Sequence, residues 1–375
     1  MKFEDFKLRK EIMEGLEAMG YTEPTPIQEQ TIPAILEKRD LIGCAQTGTG
    51  KTAAYLLPVL HHILEDGKRE GVDTLIIAPT RELAQQIDMH LQGLAYFTPV
   101  SSIAVYGGGD AVAWEKEKRA LEMQTDIVVA TPGKLLSYLN LGILKLNNLK
   151  HLILDEADRM LDMGFYDDLL QILAFLPRVR QNLLFSATMP SDIRKLAKKI
   201  LHRPVEVNVA PSKPAEGVLE AAYFIPPQKK IPLIRQLLQG KELQTVLMFT
   251  STKRIASQLE NELKSIGFSA KAIHSDLTQP QRDEVMRQFR NRNIQLLVAT
   301  DLLSRGIDIV GIDLVVNFNV PRDPEDYIHR VGRTARAKAS GVAITLVEPE
   351  EKRYFTRIEH FLEKDIYKIP VPRDL

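Results

Sequence analysis

Lys51 closes a glycine-rich run, AQTGTGKT (Ala45–Thr52), set between an apolar strand-like stretch and a helix-like one. That context suits a phosphate. Gly48 and Gly50 let backbone N–H groups turn inward at a helix N-terminus, where an anion is favoured. Lys51 adds a mobile positive charge for β- and γ-phosphates, and Thr52 a hydroxyl for Mg²⁺. Further on, the run HLIL ends abruptly in DEAD, Asp155–Asp158. Carboxylates at the C-terminal end of a parallel strand face the ligand crevice of an open α/β sheet. Asp155 can hold Mg²⁺ through water. Glu156 can orient and deprotonate a water that attacks a phosphoryl group. The plain alternatives are a structural glycine turn and an acidic helix start, and the pairing of loop with acids argues against both. A third group, HRVGRTAR, places Arg330, Arg333 and Arg336 at every third position, beside His329. A solvated basic face or a nucleic-acid patch would also explain it. As arginine fingers, however, such residues contribute on the order of 10³–10⁵ in phosphoryl-transfer rate.

These residues need a scaffold that brings them to one edge. Short apolar runs alternate with helical periodicity along almost the whole chain. Strands are expected at Asp40–Cys44, Thr74–Ala78, Ser102–Tyr106, Asp126–Ala130, His151–Leu154, Asn182–Phe185 and Val205–Val209. A second set is expected at Thr245–Phe249, Ala270–Ile273, Gln295–Val298, Leu314–Asn317 and Val342–Leu346. Buried parallel strands with crossover helices follow, an α/β class. The chain of 375 residues exceeds one ordinary core. The break falls at residues 210–217, APSKPAEG, which reads as a linker between domains 1–209 and 218–375. Glu350–Lys364 reads as a closing helix, and the end as a short proline-bearing terminus without a tail.

Hydrophobic content of 44% and charged content of 26% are those of a globular chain. No apolar run approaches the roughly 20 residues that span a bilayer, and the start lacks a secretory pattern. The single cysteine, Cys44, excludes an intramolecular disulfide, fits a reducing compartment and reads as a buried small residue. A cytoplasmic protein with no membrane partner is expected. Formal net charge is zero, with 24 basic and 21 acidic residues in 216–375 against 25 and 28 in 1–215. Any nucleic acid must therefore be gripped locally, not by a global field.

With these residues in place, the sequence resembles the DEAD-box ATP-dependent RNA helicases almost from end to end. The motifs stand in order: GYTEPTPIQ (20–28), AQTGTGKT (45–52), PTRELA (79–84), YGGG (106–109), TPGK (131–134), DEAD (155–158), SAT (186–188), MFTST (248–252), HSDLTQPQR (274–282), VATDLLSRGID (298–308) and HRVGRTAR (329–336). The layout looks most like bacterial RhlE-type members. The resemblance implies two tandem RecA-like domains and local, non-processive unwinding of short RNA duplexes or remodelling of RNA–protein complexes. It implies that Tyr21 stacks on adenine, Gln28 hydrogen-bonds the base edge and Phe3 buttresses them. A planar amide suits adenine over guanine, hence ATP. Ala45, Gln46, Thr47, Gly48, Thr49, Gly50, Lys51 and Thr52 would hold the phosphates, Gly306 and Asp308 the ribose side. Ser186 and Thr188 would link hydrolysis to strand separation through the DEAD acids; their hydroxyls could as easily cap the next helix, for which Ser191 is the better cap by residue type. Arg333 and Arg336 would be the arginine fingers.

RNA contacts implied by the resemblance fall on Pro79, Thr80, Arg81, Gly107, Gly108, Thr131 and Gly133, and on Thr250, Gln279, Arg282 and Thr300. Most are small or hydroxyl-bearing, types that hold phosphate and sugar without reading bases. Sequence-independent binding of single-stranded and short duplex RNA follows, with ribonucleoprotein or RNA-decay partners also implied. Ala45 stands where the general phosphate-loop pattern has its first glycine, a departure that matters. Ala335 also replaces a glycine of the usual motif, and Leu302, Leu303 and Ser304 replace smaller residues; for these little loss of activity is expected. A DNA-translocating motor and a non-catalytic RNA clamp or scaffold are rival readings; a small-molecule kinase, the third, has no use for residues 216–375.

Overall fold

The structure, a computed structural model, describes residues 1–45, 48–67, 71–108, 111–122, 125–209, 218–240, 243–300, 312–334 and 341–372, without the side chains of 111–113, 116, 279 and 325. The chain divides into two compact units, Met1–Pro211 and Ser212–Leu375. The expected linker, 210–217, lies outside the described residues.

In the first unit β1 (Leu41–Cys44), β2 (Thr74–Ile77), β3 (Ser102–Val105), β4 (Ile127–Ala130), β5 (His151–Leu154), β6 (Gln181–Ser186) and β7 (Val205–Asn208) form one sheet. Its order is β3-β4-β2-β5-β6-β1-β7, and every pairing is parallel. Strands such as TLII, IVVA and HLIL are buried throughout because both faces are covered. Side chains alternate between two cores, as the pleat requires. Ile76, Ile127, Val129 and Ile153 enter one, while Leu75, Ile77, Val128 and Leu152 enter the other.

The second unit repeats the plan. It contains β8 (Val218–Phe224), β9 (Val246–Thr250), β10 (Ala270–Ile273), β11 (Leu296–Thr300), β12 (Leu314–Asn317), β13 (Gly341–Val347) and β14 (Tyr367–Lys368). The order is β10-β11-β9-β12-β13-β8-β14, again with parallel pairings. Strands β8 and β14 depart from the sequence expectation. Glu220 interrupts the apolar run of β8, yet it is buried, because the Tyr327 hydroxyl (2.8 Å) and Lys364 Nζ (3.0 Å) both donate to its carboxylate. Strand β14 is too short, and too close to Pro370, to announce itself. The expected closing helix is a 3₁₀ turn, Pro349–Glu351, followed by the helix Lys352–Leu362.

Candidate active site

The turn after β1 leads into the helix Lys51–Asp66, with Gly50 as its N-cap. Gly48 and Gly50 have φ of 85° and 93°, a left-handed backbone that side chains resist. At Gly50 space is short as well: a Cβ there would lie 2.5 Å from Gln28 Nε2 and 2.9 Å from Thr25 Oγ1. Lys51 is buried, and among the described residues its Nζ has no hydrogen-bond partner. A buried ammonium without an acceptor is costly, so this residue fits an anion that satisfies it. Ala45 is buried and donates its N–H to the Ser186 carbonyl at 3.0 Å, tying the loop to β6. Thr49 and Thr52 are partly exposed; Gln46 and Thr47 lie outside the described residues. Cys44 is half-buried, not fully buried as expected, and its thiol donates to the Ala187 carbonyl at 3.4 Å.

Strand β5 delivers the acids. Asp155 is buried, and its Oδ1 accepts the Glu156 N–H at 2.9 Å while Oδ2 accepts the Tyr55 hydroxyl at 2.9 Å. Burial pushes the Asp155 carboxyl above its usual range and the Glu156 charge adds to this, while Lys51 opposes them. Glu156 stands at the N-cap of the short helix Ala157–Asp162 with φ 49° and ψ 51°, a strained conformation for a non-glycine residue. Arg159 Nη1 donates to Glu156 Oε2 at 3.1 Å, a pair buried on both sides.

Thr188 donates through both its N–H and its hydroxyl to Asp158 Oδ2, each at 2.9 Å. Ser186 Oγ accepts the Asp158 N–H at 3.2 Å. Ser186 and Thr188 thus meet the last of the four DEAD residues. Ser191 is inside the helix Ser191–Ile200, not its cap. Pro190 holds the cap position with extended backbone and makes no side-chain bond, so the expected serine cap is absent.

The segment before the loop is built around Gln28, which is fully buried. Its Oε1 accepts the Thr25 N–H at 2.9 Å and its Nε2 donates to the Gly50 carbonyl at 3.1 Å. One N–H and one lone pair of the amide remain for a base. Tyr21 is half-buried. Its hydroxyl meets His90 Nε2 at 2.5 Å, its ring stacks on His90 at 6.0 Å, and Phe3 sits edge-on at 6.1 Å.

Pro79, Thr80 and Arg81 follow β2, Gly107 and Gly108 follow β3, and Thr131 and Gly133 follow β4. These are the C-terminal ends of three adjacent strands. Thr80 caps the helix Arg81–Leu94 by accepting the Leu83 N–H at 3.3 Å. Thr131 holds the N-cap of Pro132–Asn140, and Gly133 lies in its first turn with nothing around its missing side chain. The Arg81 guanidinium lies over the Tyr106 ring at 4.8 Å, against Gly108, which has φ 84°. In the second unit Thr250 ends β9, Thr300 ends β11, and Gln279 opens the helix after β10, again three adjacent strands. Arg282 Nη2 donates to the Ser275 carbonyl at 2.9 Å. The Gln279 side chain lies outside the described residues.

Arg330 does not face a surface. It is buried, donating to Asn317 Oδ1 at 3.1 Å and the Asn319 carbonyl at 2.9 Å, over the Phe249 ring. Arg333 is partly exposed beyond the helix Pro324–Val331. Gly306, Asp308 and Arg336, with the departures at 302–304 and 335, lie outside the described residues. Sequence reasoning missed Tyr55 and Arg159, whose side chains hydrogen-bond Asp155 and Glu156. The only signal for Tyr55 was its position one turn after Thr52.

Two parallel α/β sheets, the first with a glycine loop and paired acids at its strand ends, define a tandem RecA-like ATPase. Residues 25–196 match the DEAD/DEAH box helicase family, and residues 229–338 the helicase conserved C-terminal domain. An ATP-dependent RNA helicase CshA of Listeria monocytogenes is 44% identical over 99% of this chain and 71% of its own length. A DEAD-box ATP-dependent RNA helicase CshA of Geobacillus kaustophilus is 40% identical over 99% and 78%. The solved structure of S. cerevisiae Dbp5 bound to RNA and ADP BeF3 is similar with a TM-score of 0.86 and 31% identity, covering 98% of this chain and 95% of that one. The chain belongs to the DEAD-box ATP-dependent RNA helicases, which hydrolyse ATP. Both of these bacterial relatives are named CshA.

Proposed function

We propose that the first unit binds ATP with Mg²⁺ at the ends of β1, β5 and β6, and single-stranded RNA at the neighbouring ends of β2, β4 and β3. The shared strand edge carries this reading. In the order β3-β4-β2-β5-β6-β1 the residues with phosphate-binding chemistry and those with backbone-holding chemistry form two adjoining blocks. The buried Lys51 ammonium, without a hydrogen-bond partner among the described residues, supports the nucleotide half. Lys51 holds the β- and γ-phosphates, Glu156 takes the proton of the attacking water, and Arg333 and Arg336 supply charge to the γ-phosphoryl group as it transfers.

Thr52 and Asp155 would hold Mg²⁺. One hydroxyl, one carboxylate, phosphate oxygens and water make a donor set of the kind Mg²⁺ takes. When bound, Mg²⁺ neutralises charge on the β- and γ-phosphates. Tyr21, Gln28 and Phe3 receive the adenine, and Gly306 and Asp308 the ribose side. The RNA residues, with Thr250, Gln279, Arg282 and Thr300 of the second unit, grip phosphate and sugar. RNA is therefore bound without sequence preference, and bending it separates short duplexes or remodels RNA–protein complexes in the cytoplasm. No helix among the described residues is long and apolar enough to cross a membrane.

The deciding experiment measures ATPase rate without nucleic acid, with RNA and with DNA of equal sequence. Stimulation by RNA alone is expected. Equal stimulation by DNA would sink the RNA assignment.

A further inference from the structure

Tyr55 lies one turn into the helix that begins with Lys51 and Thr52, and it is completely buried. Apolar packing accounts for its ring, which tilts against Phe185 of β6 at 5.2 Å. It does not account for the oxygen. A phenol in a dry site costs free energy unless it is hydrogen-bonded, and this one donates to Asp155 Oδ2 at 2.9 Å. Asp155 follows the end of β5, whereas Tyr55 stands one turn after Thr52 on the helix that begins with Lys51. Thr52 and Asp155 are the two residues assigned to Mg²⁺. The phenol thus ties the carboxylate of one proposed metal ligand to the helix that carries the other, in a place water does not reach.

We propose that Tyr55 is a positioning residue that orients Asp155, and holds it against the helix of Thr52, for Mg²⁺. The inference rests on the metal reading of those two residues. Asp155 Oδ1 accepts the Glu156 N–H and Oδ2 the phenol, so the direction of both oxygens is set. Removing the phenol oxygen leaves the Glu156 bond alone to set the carboxylate plane. Such outer partners, when removed, typically cost 10–100-fold in metal affinity.

The test uses the full chain and a mant-labelled ADP, whose fluorescence reports binding while Mg²⁺ is titrated. Tyr55→Phe keeps the ring and deletes the oxygen. The Mg²⁺ concentration at half-maximal nucleotide binding is expected to rise about tenfold, with nucleotide affinity in EDTA unchanged. Phe185→Leu loosens the same packing and keeps the hydroxyl, so it should lower the melting temperature and leave the Mg²⁺ midpoint at its wild-type value. An unchanged midpoint in Tyr55→Phe, or an equal shift in Phe185→Leu, overturns the proposal. Thr52→Ala separates the two levels of argument. If it too leaves the midpoint unmoved, the metal assignment itself fails; if it moves the midpoint and Tyr55→Phe does not, only the positioning role fails.

Discussion

Glu156→Gln preserves the size and the left-handed backbone of the residue while removing its basicity. The Arg159 guanidinium can still donate to the amide oxygen, so local packing should survive. General-base catalysis contributes about 10²–10⁴-fold, and single-turnover ATP hydrolysis should fall by that much while ATP and RNA still bind. Turnover within twofold of wild type would remove Glu156 from the role of base. At this scale the sequence was legible where chemistry sits in contiguous runs: a glycine turn with its lysine, or acids ending an apolar strand. It was opaque where a side chain acts across the fold. Tyr55 on a helix rich in buried residues cannot be told from core, and only its contact with Asp155 sets it apart. Arg330 shows the converse, since its spacing with Arg333 and Arg336 suggested convergence, whereas Asn317 and Asn319 hold it inside.

The elements that carry the site also meet at their other end, where no chemistry was expected. His151 opens β5, stacks on His62 of the helix Lys51–Asp66 at 5.2 Å, and bonds Gln181 of β6 at 2.9 Å. Asp73 and Lys150 face the same cluster. Burial pushes His151 down to about 4, with Lys150 and His62 reinforcing and Asp73 opposing. Burial lowers His62 too. A histidine depressed in the folded state binds its proton more readily when unfolded. Stability is therefore full above about pH 6.5 and is lost as pH falls toward 4. Between pH 7 and 5 the first unit should lose roughly 2 kcal/mol through His151 alone. Trp114, the sole tryptophan, lies in the first unit and reports urea unfolding there. In His151→Asn most of that pH difference should vanish, and an unaltered difference would show that the buried imidazole is not its source. No periodicity in the sequence discloses this cluster, because HLIL reads simply as an apolar strand. The strands themselves were legible wherever four or more apolar residues ran together. Strand β8 was hidden by Glu220, whose burial depends on Tyr327 and Lys364, each more than a hundred residues away.

Across the whole molecule, 49 basic residues balance 49 acidic ones, a composition that by itself argues against a nucleic-acid binder. The proposed RNA surface resolves the conflict through its chemistry. Thr80 and Thr131 stand at helix N-caps, Gly107 and Gly133 leave backbone open, and only Arg81 and Arg282 among the assigned residues carry charge. Helix N-termini and hydroxyls hold phosphate oxygens without releasing many counterions, whereas each lysine or arginine that neutralises a phosphate adds to the salt dependence. With about two phosphates neutralised, the logarithm of affinity for single-stranded RNA should fall with the logarithm of salt at a slope near −1.4. From 50 to 200 mM salt that is about a sevenfold loss, against 10³–10⁵ for a protein making 6–10 ionic phosphate contacts. Fluorescence anisotropy of a labelled oligouridine, titrated with the full chain and a non-hydrolysable ATP analogue at several salt concentrations, gives the slope directly. A slope steeper than about −4 would mean that a basic patch outside the assigned residues carries the RNA. Arg81→Ala should then flatten a shallow slope by about 0.7, and would leave a steep one almost unchanged.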